Sequence, residues 1–235
     1  MWGDKTVLAV VPARGGSKGI PRKNLCEVGG LSLVARAAKI VKSLPWIDFA
    51  VISTDDEEIA KEAMLHGLDA PFMRDEKLSG DFSNSIDVWR DALVNSEKFF
   101  QKTVDYSILL EPTSPLRVPQ DIEVTISSLI SGNHQSAVTV SETPGHYKPE
   151  KTLKINNGQL NFYLKEGVNH TIRQSIPSYY HRNGICYAIT REALVNNASI
   201  IADDCAAVLI DREVINIDTP LDLKVANFLW EFQKS

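Results

Sequence analysis

The chain has 235 residues, 43% hydrophobic and 23% charged, with a formal net charge of -5. That length fits a single domain over 1–235 with room for a small inserted unit, and the composition supports a buried core. The acidic balance argues against broad nucleic-acid binding, which needs a basic face, but permits an anion cleft where the few basic residues gather.

The cysteines Cys26, Cys186 and Cys205 are odd in number and far apart. Without a CxxC pair they suggest neither a zinc site nor a disulfide framework, and read as free thiols of a reducing cytoplasm. The polar start Met1-Trp2-Gly3-Asp4-Lys5 precedes a short apolar strand. No apolar stretch has the length of a signal peptide or a membrane span, so no membrane partner is expected.

Thr6 to Val11 is continuously apolar after its first residue, the mark of a strand buried on both faces. A glycine-rich loop follows, and then Leu33, Ala37, Ile40, Val41 and Leu44 recur at helical spacing. Phe49 to Thr54 reads as a second buried strand. Asp55 and Asp56 stand where a helix N-cap belongs, ahead of Glu57 to Ala63, and Gly67 is the expected stop. Further along come a helix from Ile86 to Phe100, a strand from Tyr106 to Leu110, a helix from Pro119 to Leu129 and a strand from Ala137 to Val140. Alternation of this kind builds right-handed βαβ units, so the expected fold class is α/β, a doubly wound and mostly parallel sheet.

The rhythm breaks between about 142 and 182. Asn156-Asn157-Gly158 reads as a hairpin turn between Lys154-Ile155 and Leu160 to Phe162, so this aromatic-rich segment is expected to be an inserted β-rich arm. Alternation resumes with a strand from Gly184 to Ile189 and a short helix after Thr190. A last strand from Glu213 to Ile217 is expected to lead into a closing helix from Pro220 to Phe232. Trp89, Trp230 and Phe232 fall on helices and are read as packing residues. His146, His170 and His181 share the arm without a metal-binding spacing, and Asp203-Asp204 reads as a solvated pair.

The loop Ala13-Arg14-Gly15-Gly16-Ser17-Lys18-Gly19-Ile20-Pro21-Arg22-Lys23-Asn24 carries the chemistry. A strand, a glycine-rich turn and a helix together present backbone N–H groups to phosphate. Gly15, Gly16 and Gly19 let the chain bend tightly. Arg14, Lys18, Arg22 and Lys23 place four positive charges within ten residues, and such a cluster repels itself unless an anion neutralises it. A polyphosphate would do so. The loop is neither a Walker A sequence nor GxGxxG.

The run Pro12 to Asn24 resembles the nucleotide-binding signature of the acylneuraminate (CMP-sialic acid) cytidylyltransferases. Leu110-Glu111-Pro112-Thr113-Ser114-Pro115-Leu116-Arg117, Arg182-Asn183-Gly184 and Ile217-Asp218-Thr219-Pro220-Leu221-Asp222 resemble three more blocks of that family, in the same order. The resemblance implies a reaction of CTP with a nonulosonic acid, magnesium as cofactor, and a homodimer joined through the arm.

It also implies residue roles. Arg14 and Lys23 would hold the triphosphate and stabilise the leaving pyrophosphate, with Gly15, Gly16, Ser17 and Lys18 in the same loop. Asn24 would fix the cytosine or ribose, and Arg74 and Ser85 resemble further nucleotide contacts. Lys151 and Arg173 resemble the basic pair that meets the sugar acid, and Asp218 the magnesium carboxylate. The chemistry is consistent: joining two anions needs neutralised charge, Mg²⁺ takes oxygen ligands, and Arg holds carboxylates.

Two departures stand out. The family has Gln where this chain has Glu111, near the sugar, and Asp where this chain has Asn216, two residues before Asp218. Strand alternation would point 216 and 218 to one face, so Asn216 offers the metal a neutral oxygen beside Asp218. Either Glu111 carries the displaced charge to metal or sugar, or the subgroup reads another sugar such as legionaminic or pseudaminic acid rather than N-acetylneuraminate. A shorter octulosonate fits less well, because its synthetases have a different segment in place of Pro112-Thr113-Ser114-Pro115. From another class altogether, a non-catalytic CTP-binding regulator would keep the loop and lose the metal.

Overall fold

The structure, a computed structural model, describes residues 2–165, 176–196 and 199–233. In chain order the strands are β1 (Val7–Pro12), β2 (Glu27–Val28), β3 (Leu31–Ser32), β4 (Phe49–Ser53), β5 (Tyr106–Leu109), β6 (Ser136–Glu142), β7 (Leu153–Asn156), β8 (Gln159–Phe162), β9 (Tyr180–Thr190) and β10 (Cys205–Leu209). The helices are α1 (Leu33–Lys42), α2 (Glu57–Leu65), α3 (Ser85–Phe100), α4 (Pro119–Ser131), α5 (Arg191–Asn196) and α6 (Pro220–Phe232).

Six strands form the main sheet in the order β10-β6-β9-β5-β1-β4. β1 pairs in parallel with β4 and β5, and β10 with β6, while β9 runs antiparallel to both β5 and β6. The sheet is therefore doubly wound and mostly parallel, with one reversed strand at its middle.

Both faces of β1 are buried, which is why its sequence is apolar throughout. Ala9 and Val11 join a core with α1, α2 and α4, through Val34, Ala38, Ile59, Ile122 and Ile126. Leu8 and Val10 join a second core with α3 and α5, through Ile86, Trp89, Leu93 and Leu194. Trp89 is fully buried, and its indole N–H donates to Ser107 Oγ at 2.8 Å. The tryptophan thus packs, as expected.

The helix ends follow the sequence. Asp56 caps α2, accepting from the N–H groups of Glu58 and Ile59. After the cap at His66, Gly67 takes φ +97, open to glycine and costly for other residues. Thr219 and Asp222 form a capping box at the start of α6.

One expectation fails at the sheet edge. No strand spans Glu213 to Ile217: that stretch has no ladder and is tied by the Ile217 N–H donating to Thr113 O at 2.8 Å. Burial still alternates, with Asn216 and Asp218 exposed around a buried Ile217. The last strand is instead β10, eight residues earlier, parallel to β6.

The hairpin forms where Asn157-Gly158 marked it, at φ 49 and φ 78, the left-handed pair that a two-residue turn of this hand requires. It stands apart from the main sheet. His181 is exposed and His146 packs on Tyr147, while His170 lies outside the described residues. Asp204 is exposed and meets His134 Nδ1 at 2.6 Å. Trp230 is partly buried beneath the Arg36 guanidinium, 3.6 Å from the ring centroid, whereas Phe232 is exposed and stacks loosely on Phe228. The three cysteines are free.

Candidate active site

The cavity of interest, about 400 Å³, opens at the carboxyl ends of β1 and β5. It sits where the chain goes from β1 to β4 on one side and then to β5 on the other, the crevice where open α/β sheets bind ligands. Arg14, Ser17, Lys18, Lys23 and Asn24 line it from the loop after β1. Arg74, Asp81, Ser83 and Ser85 line the side toward α3, and Glu111 and Asp218 complete it. The fold thus brings together nine of the residues singled out in the sequence.

Each loop cation has a carboxylate partner. Arg14 Nη1 donates to Asp81 Oδ1 at 2.9 Å, and Lys18 Nζ lies 2.6 Å from Asp81 Oδ2. Lys23 Nζ donates to Ile217 O at 2.9 Å and to Asp218 Oδ1 at 3.0 Å. Arg22 turns away from the cavity and forks onto Asp56, with Glu58 at 2.5 Å. The cluster of like charge is therefore neutralised by the protein itself, and only three of its four cations face the cavity.

Several residues hold the loop rather than reach from it. Asn24 is buried, and its amide donates to Arg14 O at 3.0 Å, closing the loop on itself. The Gly15 N–H donates to Asp55 Oδ1 at 2.8 Å. A Cβ on Gly15 would fall 2.7 Å from Asp56 Oδ2, whereas Gly16 faces open space. A Cβ on Gly19 would fall 2.3 Å from Asp218 O, so only glycine lets the loop pack this closely against that backbone. Arg74 is buried and spends Nε and Nη2 on Ser53, and burial brings its guanidinium down to about 10.

The cavity floor depends on Arg117, which sequence reasoning did not single out for a role. It is buried and donates to the carbonyls of Glu111, Gly184 and Ile185, the last at 2.8 Å. Burial lowers it to about 10, but three carbonyls satisfy it, and they clamp the end of β5 to β9. The β6–β9 register slips between Val138 and Val140, and Gly184 lies in that bulge at φ +72.

A Cβ on Gly184 would lie 2.8 Å from Glu111 Oε2 and 3.6 Å from Asn216 Nδ2. Glu111 and Asn216 therefore flank the same glycine, although 105 residues separate them in sequence. Burial pushes the Glu111 carboxyl up, and the positive charges of Arg117 and Arg182 oppose that.

The remaining sites lie elsewhere. Lys151 is exposed on a short turn, Pro149–Lys151, and does not line the cavity. Arg173 lies outside the described residues. No group of three or more His, Cys, Asp or Glu side chains converges among the described residues. The carboxylates lining the cavity are those of Asp81, Glu111 and Asp218, and an oxygen ligand such as Asp218 suits a hard cation that completes its shell with phosphate oxygens. No helix among the described residues is long and apolar enough to cross a membrane.

Similarity to known proteins agrees with this geometry. The chain is 32% identical to the CMP-N,N'-diacetyllegionaminic acid synthase of Campylobacter jejuni, covering 95% of this chain and 94% of that one. It is also 32% identical to the Legionella pneumophila protein of the same name, covering 97% of each. A solved CMP:2-keto-3-deoxy-manno-octonic acid synthetase complexed with CTP shares the fold, with a TM-score of 0.72 over 97% of this chain and 99% of that one at 16% identity. The cytidylyltransferase family model matches residues 8–195, and the chain belongs to the cytidylyltransferase family.

Proposed function

We propose that the protein transfers CMP from CTP to the anomeric hydroxyl of a nine-carbon 2-keto sugar acid. The observation that carries this reading is the single cavity shared by Arg14, Lys18, Lys23, Glu111 and Asp218. In the reaction the anomeric oxygen bonds to the α-phosphorus, and the α–β bridging P–O bond breaks with its electron pair leaving on pyrophosphate. The hydroxyl proton passes to water.

Arg14, Lys18 and Lys23 offset the charge that gathers on the leaving group. Gly15, Gly16, Ser17, Asn24, Arg74 and Ser85 shape the nucleotide side and Glu111 the sugar side, while Lys151 and Arg173 would meet the sugar acid only in the neighbouring active site of a dimer. Asp218, with the amide oxygen of Asn216, would hold Mg²⁺, which supplies positive charge to the phosphates when bound.

Pyrophosphate release from CTP, measured with N-acetylneuraminate, N,N'-diacetyllegionaminate and pseudaminate in turn, tests this. Release is expected to need both sugar and Mg²⁺, and to be fastest with diacetyllegionaminate. What favours that sugar is the 32% identity to two proteins named as its CMP-synthases. CTP binding without release on any sugar would leave a non-catalytic nucleotide-binding protein.

The arm supports a homodimer. Leu153 pairs with Phe162 and Ile155 with Leu160, so four apolar side chains share one face of the β7–β8 hairpin. All four are exposed, Ile155 at 73%. A second copy covering this face would remove the apolar surface from water. The double variant Ile155→Asp/Leu160→Asp is expected to halve the mass seen by light scattering; an unchanged dimer would place the interface elsewhere.

A further inference from the structure

The anion position between Arg14 and Lys18 is filled by the protein. Asp81 Oδ1 accepts from Arg14 Nη1 at 2.9 Å, and Asp81 Oδ2 lies 2.6 Å from Lys18 Nζ. One carboxylate spans two cations, one oxygen to each, as two oxygens of a phosphate would. Among the described residues its carboxylate has no other hydrogen-bond or ion-pair partner. Both cations hold the Asp81 carboxyl below the usual range, Lys18 more than Arg14.

The segment bearing Asp81 is capped at both ends and otherwise held by short local hydrogen bonds, Ser79 Oγ donating to Asp75 O at 3.1 Å and Ser83 Oγ to Lys77 O at 3.3 Å. Asp75 caps the preceding turn Glu76–Leu78, and Asn84 caps α3 by accepting from the Ile86 N–H at 3.2 Å. Between them, Phe82 is fully exposed beside Asp81. Nothing but the two cations holds the Asp81 side chain across the cavity.

We infer that Asp81 is a resident stand-in for a nucleotide phosphate, bridging Arg14 and Lys18 until a polyphosphate displaces it and releases the segment 79–84. This rests on the reading of Arg14 and Lys18 as triphosphate ligands. Without an anion the two cations would repel each other, so the bridge stabilises the empty loop. It also lowers apparent affinity, because only the unbridged fraction is competent to bind. A bridge formed nine times in ten weakens binding about tenfold.

Isothermal calorimetry with inorganic tripolyphosphate and with CTP, on the wild type, Asp81→Asn, Asp81→Ser and Arg14→Gln, tests the inference. Tripolyphosphate carries no base or sugar and so reads the phosphate position alone. Both neutral Asp81 variants are expected to bind both probes about tenfold tighter, and Arg14→Gln to bind both more weakly. Two Asp81 variants, each checked for native circular dichroism, guard against a folding defect in either.

If Arg14→Gln weakens binding while neither Asp81 variant tightens it, the stand-in is refuted and the phosphate reading survives. Weaker binding by the Asp81 variants likewise refutes it and makes Asp81 part of the bound site. If Arg14→Gln changes nothing, the phosphate reading fails and takes this inference with it.

Discussion

A Lys23→Met variant is expected to lose roughly 10²- to 10³-fold in kcat/KM for pyrophosphate release, the scale on which one charge-stabilising donor acts. Lys23 is mostly enclosed, with its side chain 17% exposed. Its ammonium is aimed by two oxygens from the segment before α6, Ile217 O at 2.9 Å and Asp218 Oδ1 at 3.0 Å. A cation fixed in advance need not reorganise as charge moves onto pyrophosphate, and the loss should therefore fall mainly on kcat. Arg22 is the control, one residue away and of the same charge. It turns from the cavity onto Asp56 and Glu58, so Arg22→Met should cost far less. Equal losses in the two variants would mean that loop charge in general, rather than placement, sets the rate.

That contrast marks a limit of what the sequence reveals. Four positive charges in ten residues are legible, but their partners are not. Asp81, Asp56 and Asp218 come from three other segments, and a salt bridge depends on where the fold brings them. The sequence pointed to a polyphosphate as the neutralising anion; in the structure carboxylates already do that work, which turns the question from attraction to exchange.

Elements with strong periodicity were readable along most of the chain. β1 is apolar because α1 and α3 cover its two faces, and Asp56 announces α2 because a cap is a local interaction. β10 was missed for the complementary reason. Cys205-Ala206-Ala207-Val208-Leu209 is an edge strand of small and partly exposed residues, without alternation to mark it. Glu213 to Ile217 has the alternation but no neighbouring strand to pair with, and period alone does not make a sheet. On the site, Glu111 and Asn216 were visible as departures from a family pattern, yet their proximity was not. That proximity is made by Gly184, whose position inside a strand pattern was the one local hint of a bulge.

Gly184→Ala should accordingly be a strongly damaging single-methyl change beside the cavity. Its φ of +72 costs a non-glycine residue about 1 kcal/mol or more. The new Cβ would also lie 2.6 Å from Ser114 Oγ and 2.8 Å from Glu111 Oε2. Ser114 is fully buried and donates to Asn183 O at 3.1 Å, so its hydroxyl yields only by breaking that bond. Such overpacking adds about 1–3 kcal/mol, for a total near 2–4 kcal/mol. At about 2–4 °C per kcal/mol for a chain of this size, the melting temperature should fall by roughly 5–15 °C.

Gly158→Ala separates the two contributions. Gly158 has nearly the same φ, +78, but a Cβ there meets nothing within 4 Å, so only the backbone cost applies. Its melting temperature should fall by only a few degrees. The kinetic effect should also be one-sided. Glu111 moves away from the clash while Arg14 and Lys18 stay in place, so KM for the sugar acid should rise more than KM for CTP. If the two glycine variants melt together, the contact at Gly184 is slack and the Glu111–Asn216 side of the cavity adapts freely. A larger drop for Gly184→Ala, with the sugar KM moving and the CTP KM not, would show that this bulge sets where the sugar acid sits.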